Sequence, residues 1–154
     1  MNVPQADVST TCPDCGAAWT DTITCTDHFY QMLYWEADNP ALGEVHHLMV
    51  LCYHLQHPRL YSPETLANGI LMLDQFVNGG ITPQQMRREM SVKVDSGVRT
   101  HKITGTADHH GKYAHPVTWT ITAADVVEAG AAHYIDKVRA WAKSIDESIK
   151  QSGN

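Results

Sequence analysis

The most specific chemistry in the sequence lies near its start, where Cys12 and Cys15 in CPDCG are followed by Cys25 and His28, a C-x2-C-x9-C-x2-H series. A two-residue gap lets both thiolates of one turn face a single ion, and Gly16 supplies the backbone freedom such a turn needs. Three cysteines and a histidine make a complete tetrahedral donor set for zinc. Four protein ligands leave no position for a substrate, so a metal held this way is structural. A redox pair is the alternative use of C-x2-C, but it wants a helix start behind a strand, and no strand pattern precedes Cys12. The fourth ligand stays open at this level. His28 is nearest in sequence, while a histidine from the central helix would close the site instead and pin the N-terminus onto the core.

A second concentration of reactive side chains is VHHLMVLCYHLQHP, Val45–Pro58, with four histidines, a cysteine and a tyrosine in an otherwise apolar stretch. Leu48, Met49, Val50, Leu51, Cys52 and Leu55 cover most of a helix circumference, the pattern of a helix packed on several sides. It is expected to begin near Pro40 and to stop at Pro58. At about 100° per residue, His46, Val50, Tyr53 and His57 share one face, and His47, Leu51 and His54 share another. His46 and His57 are separated by about 16 Å along the axis and cannot hold the same ion; within this helix only His54 and His57 can. His46, Tyr53, His57 and, from the last helix, His133 are the candidates for a catalytic role, with Tyr53 as an acid. Helix histidines with hydrogen-bonded or solvated rings are the plain alternative. If a second site exists it must draw on another element, which predicts that His57 and His133 approach each other or face one pocket.

These residues need a scaffold, and the chain is long enough for one: 154 residues fit a single domain with a proper core. With 43% hydrophobic and 18% charged residues the composition is globular. A net charge of −6, with eleven Lys and Arg spread along the chain, argues against a nucleic-acid or anionic-membrane footprint. No apolar run approaches the roughly 20 residues of a membrane span, and MNVPQADVSTT lacks the features of a signal peptide. The expected location is therefore a reducing cytoplasm, where four cysteines serve as metal ligands or core thiols rather than disulfides.

The fold class that follows is mainly α: a helical bundle with an N-terminal zinc knuckle over 12–28, helices over 26–90, a short irregular or β insertion around 91–122, and a C-terminal helix over 123–150. A helix over 26–38 carries Phe29, Tyr30, Met32, Leu33 and Trp35. Ser62-Pro63-Glu64 caps the next, with Leu66, Ile70, Leu73 and Val77 on one face and Asn78-Gly79-Gly80 ending it. Thr82-Pro83 repeats the start signal for a shorter helix through Met90. VKVDSGVRTHKIT and PVTWTIT alternate as short strands do, around GTADHHGKYAHP, a loop that can reach over a site but whose histidines (His109, His110, His115) are more simply solvated. His101 precedes that loop. Thr122 and Asp125 open the last helix, whose stripe is Ile135, Val138, Trp141, Ala142, Ile145 and Ile149; His133 falls outside the stripe, and Gly130 marks a break or a close approach.

Taken in order, CPDCGA (12–17), Cys25, HHLMVLCYHLQHP (46–58) and HYIDKVRAWA (133–142) resemble a family of uncharacterised bacterial proteins that share a CPxCGA knuckle, a helix ending in QHP and a C-terminal helix with a Val-Arg and a Trp-Ala pair. The resemblance covers most of the chain and carries over Cys12, Cys15, Cys25, His46, Tyr53, Gln56, His57, Pro58, His133, Arg139 and Trp141. It does not include His28, and it implies no activity. Two functions are therefore in play: a zinc-stabilised helical domain that binds a small molecule or a protein, and a small His-based metalloenzyme built in a helical bundle.

Overall fold

Capping residues set the element boundaries. In the computed structural model, which describes residues 11–19, 23–82, 84–86, 88 and 103–154, α1 runs Cys25–Asp38 behind Thr24, whose backbone N–H donates to Asp27 Oδ2 at 2.7 Å in a capping box. A 3-10 turn, Pro40–Val45, leads into α2, His46–Gln56. Ser62 caps α3, Pro63–Asn78, by accepting from Thr65 N at 3.2 Å. Thr82 and Gln85 exchange the same kind of bonds at 2.9 and 3.1 Å, and residues 84–86 are helical. The predicted last helix is in fact two. Thr122 and Asp125 cap α4, Ala123–Ala129; Gly130, at φ 88°, turns the chain; α5 follows as Tyr134–Ser152. A residue with a side chain is strained at that φ, so the glycine ends α4 and lets α5 leave at its own angle.

The core forms around α2, which packs against α3 and α5, while α1 lies against α4. Leu48, Met49, Cys52 and Leu55 are fully buried in α2, and Val138, Trp141, Ala142 and Ile145 meet them from α5. Among the buried polar side chains, Gln56 and Glu36 are both satisfied. Gln56 accepts from Trp141 Nε1 at 3.1 Å and donates to Ile121 O at 2.7 Å, tying the end of α2 to two other segments. Glu36 accepts from His46 Nδ1 at 2.5 Å and from the Tyr134 hydroxyl, joining α1, α2 and α5. No helix among the described residues is long and apolar enough to cross a membrane.

Of the two expectations for residues 91–122, irregular or β, the described residues are irregular, and the one pairing they make is a single bridge, Thr104 with Tyr61. Most of VKVDSGVRTHKIT, including His101, lies outside the described residues, as do Pro83 and Met90. Residues 103–113 instead lie along Arg59–Ser62. Ser62 N donates to Ile103 O at 2.9 Å, Gly105 N to Leu60 O at 3.0 Å and Gly111 N to Tyr61 O at 2.8 Å. Glycine is required at Gly105, where a Cβ would sit 2.3 Å from Arg59 O. Tyr113 completes the attachment by donating to Leu55 O, one of the carbonyls that the end of α2 leaves unpaired, at 2.5 Å.

Candidate metal centre

Three elements converge on one point. The first is the knuckle, where Gly16 N donates to Cys12 O and Cys12 N to Ala17 O, both at 2.9 Å, and Gly16 takes φ 75°. This closes a turn that presents Cys12 and Cys15 to the interior. The second is the start of α1, where the capping box fixes Cys25 as the first helical residue. The third is the end of α2. His57 leaves helical geometry at φ −127°, ψ 66°, ahead of Pro58, and turns its ring toward the knuckle.

The ligand atoms of Cys12, Cys15, Cys25 and His57 lie within 4.8 Å of one another, and all four residues are buried. Cys12 Sγ is 3.5 Å from His57 Nε2, and Cys15 Sγ is 3.6 Å from Cys25 Sγ. Tetrahedral Zn–S bonds of about 2.3 Å would separate ligand atoms by about 3.8 Å, so the four fit one ion with little movement. All four cysteines of the chain are free thiols; Cys52, the one outside the group, is buried in the core, and burial pushes its pKa up.

The surroundings orient these donors. His57 Nδ1 is 2.7 Å from Tyr53 O; a carbonyl only accepts, so Nδ1 carries the proton and Nε2 is left to face the thiols. Tyr53 stacks on the His57 ring at 4.2 Å, and Phe29 lies 4.6 Å from Tyr53. Trp19 Nε1 donates to Cys25 Sγ at 3.3 Å. Outside the group, Arg59 makes a forked pair with Asp14 of the knuckle, Nε to Oδ1 at 3.1 Å and a terminal nitrogen to Oδ2 at 2.7 Å, so the residues flanking His57 and Cys12 are joined a second time.

Charge within the group follows its hydrogen bonds. Contacts with the Cys15 and Cys25 thiols hold the Cys12 thiol far below its usual range, while Cys15, paired with Cys12 and Cys25, is pushed up and keeps its proton. Burial opposes a charge on His57, but hydrogen bonding to Cys12, Cys25 and the Tyr53 carbonyl outweighs it and carries the pKa to about 10. A metal cation held by these four residues would replace the shared protons with its own counter-charge.

The remaining candidates fall elsewhere. His28, the sequence-nearest choice for the fourth ligand, is outside the group; the histidine that lies with the three cysteines is His57, whose ring its own helix and Tyr53 hold in place. His46 is engaged by Glu36, His54 bonds to Val50 O at 2.8 Å and stacks on Tyr61, and His133 is exposed in the 3-10 turn Ala131–His133. His57 lines the cavity beside the metal centre, and His133 is not among the residues around that cavity. Burial pushes Tyr53 up to about 12, which keeps its hydroxyl protonated at neutral pH. Gln56, Arg139 and Trp141 have structural uses: the first and last bond to each other, and Arg139 reaches Glu44 at 3.3 Å.

A cavity of about 820 Å³ opens beside the centre, bounded by Cys12, Cys25 and His57 on one side and by Trp19, Arg59, Thr106 and His110 around it. The glycine- and histidine-rich loop thus does reach over the site. Sequence reasoning missed Glu36, Trp19 and the Asp14–Arg59 pair. Glu36 carried a signal, as an acidic residue on a helix rich in apolar and aromatic side chains; the Asp14–Arg59 pair joins residues 45 apart in sequence and had none.

A helical domain organised around a group of three cysteines and one histidine is the class of protein that fold and site define. The chain belongs to the family described as a family of unknown function (DUF5946), whose model matches residues 10–150. No curated protein and no solved structure matches it.

Proposed function

We propose that the chain is a zinc-binding protein in which Cys12, Cys15, Cys25 and His57 hold one structural ion that fastens the N-terminal knuckle to the central helix. The observation that carries this reading is the convergence of four ligand atoms within 4.8 Å from three separate elements. A tetrahedral set of three thiolate sulfurs and one imidazole nitrogen suits zinc, and with four protein ligands the ion serves the fold. Free thiols fit a reducing, cytoplasmic setting.

The domain's role is to bind a small molecule or a protein partner. In support, the 820 Å³ cavity is within the size range of small-molecule sites and has both aromatic and polar walls. The His-based metalloenzyme is the weaker reading: among the described residues no second group of three or more metal-ligating side chains comes together. The test is metal analysis of the purified protein with Cys12→Ser beside it. One zinc per chain, lost in the variant, supports the reading; a second, histidine-bound ion that survives in Cys12→Ser would favour the enzyme.

A further inference from the structure

The four donors are not equally placed with respect to solvent or to one another. Cys12 and Cys25 border the cavity, whereas Cys15 does not. Cys15 Sγ and Cys25 Sγ are 3.6 Å apart, and Cys12, which also contacts both thiols, has in addition the His57 imidazole at 3.5 Å. A disulfide needs its sulfurs about 2.05 Å apart, so Cys15 and Cys25 require a shift of only about 1.5 Å.

From this geometry we infer that Cys25 and Cys15 form a peroxide-sensitive pair, in which oxidation through the cavity dismantles the metal centre. The inference rests on the zinc reading above and names the regulation of that site. A small peroxide entering the cavity meets the Cys25 thiolate, which attacks the O–O bond; one oxygen leaves as water after protonation and Cys25 becomes a sulfenic acid. Cys15 then attacks the Cys25 sulfur, the S–S bond forms, and the second oxygen leaves as water. In sum, two thiols and one hydrogen peroxide give one disulfide and two waters. The tetrad is left with Cys12 and His57, two donors where four are needed, and the tie between the knuckle and α2 is released. The thiolate form is the reactive one; Trp19 Nε1, on the cavity wall, donates to Cys25 Sγ at 3.3 Å. Reduction of the disulfide restores the set.

The experiment uses the full chain carrying Cys52→Ser, which removes the core thiol and leaves the metal centre untouched. Protein as purified is titrated with hydrogen peroxide while a chromogenic chelator reports released zinc, and the products are alkylated, digested and mapped by mass spectrometry. The expected result is one zinc released per Cys15–Cys25 disulfide formed, with Cys12 recovered as the alkylated thiol and zinc rebound after dithiothreitol. A disulfide that includes Cys12, or oxidation of Cys25 beyond the sulfenic acid with no disulfide, overturns the inference, as does zinc that stays bound while free glutathione in the same tube is oxidised. Protein that carries no zinc contradicts the structural-zinc reading instead; the disulfide map then still decides the pairing of Cys15 with Cys25.

Discussion

His57 does two things with one ring. Nδ1 bonds to the Tyr53 carbonyl and so holds the ring against its own helix, and Nε2 faces the three thiols. Loss of a ligand should be felt as lost folding energy: Cys15→Ser is expected to lower stability by several kcal/mol, since metal-binding free energy is here folding free energy. Urea unfolding with and without chelator checks it, and chelator should have no further effect on the variant. A second prediction concerns His54, whose pKa burial lowers below 6.5. The folded state then prefers the neutral ring, so this contribution is complete above pH 6.5 and is lost as pH falls through the lower, folded value. His54→Phe keeps a ring against Tyr61 and removes the titration. The stability difference between pH 7 and pH 5, measured at saturating zinc, should be smaller in the variant than in the parent.

Among elements, what was legible in the sequence was what depends on neighbours along the chain. Ser62, Thr82 and Thr122 were identifiable as helix starts because a cap bonds to a backbone N–H two or three residues on. The alternating residues of 116–122 left a short strand and an irregular segment both open and form the second, since a strand also needs an edge to pair with. Gly130 was visible as a break or a close approach, but only the φ of 88° decides between them. The histidine that joins the cysteines was illegible for a related reason: His28 is close in sequence, whereas His57 is brought to the group from the end of α2. Two substitutions test the connections between elements. Gly105→Ala would put a methyl group 2.3 Å from Arg59 O, and is expected to loosen residues 103–111 at a cost of about 1–3 kcal/mol. Gln56→Leu keeps the volume but leaves Trp141 Nε1 and Ile121 O without partners, about 1–3 kcal/mol for each group. Hydrogen exchange of Gly105 and Gly111 should rise in the first variant and stay low in the second.

At the scale of the whole molecule the chain is a helical core with an irregular face. Residues 11–19 and 103–113 lie on that face, both fastened to the turn after α2, the first through His57 and the Asp14–Arg59 pair and the second through backbone bonds to Leu60 and Tyr61. The cavity lies where they meet. Its walls therefore depend on the metal centre at one side and on the glycines at the other, and the account stands or falls on the identity of the four ligands. The most direct test is zinc per chain, by elemental analysis after dialysis, for the parent protein, His28→Ala and His57→Ala. The account predicts one zinc in the parent and in His28→Ala, and loss of it in His57→Ala. Zinc retained by His57→Ala but lost from His28→Ala, or a parent protein without zinc, would contradict it.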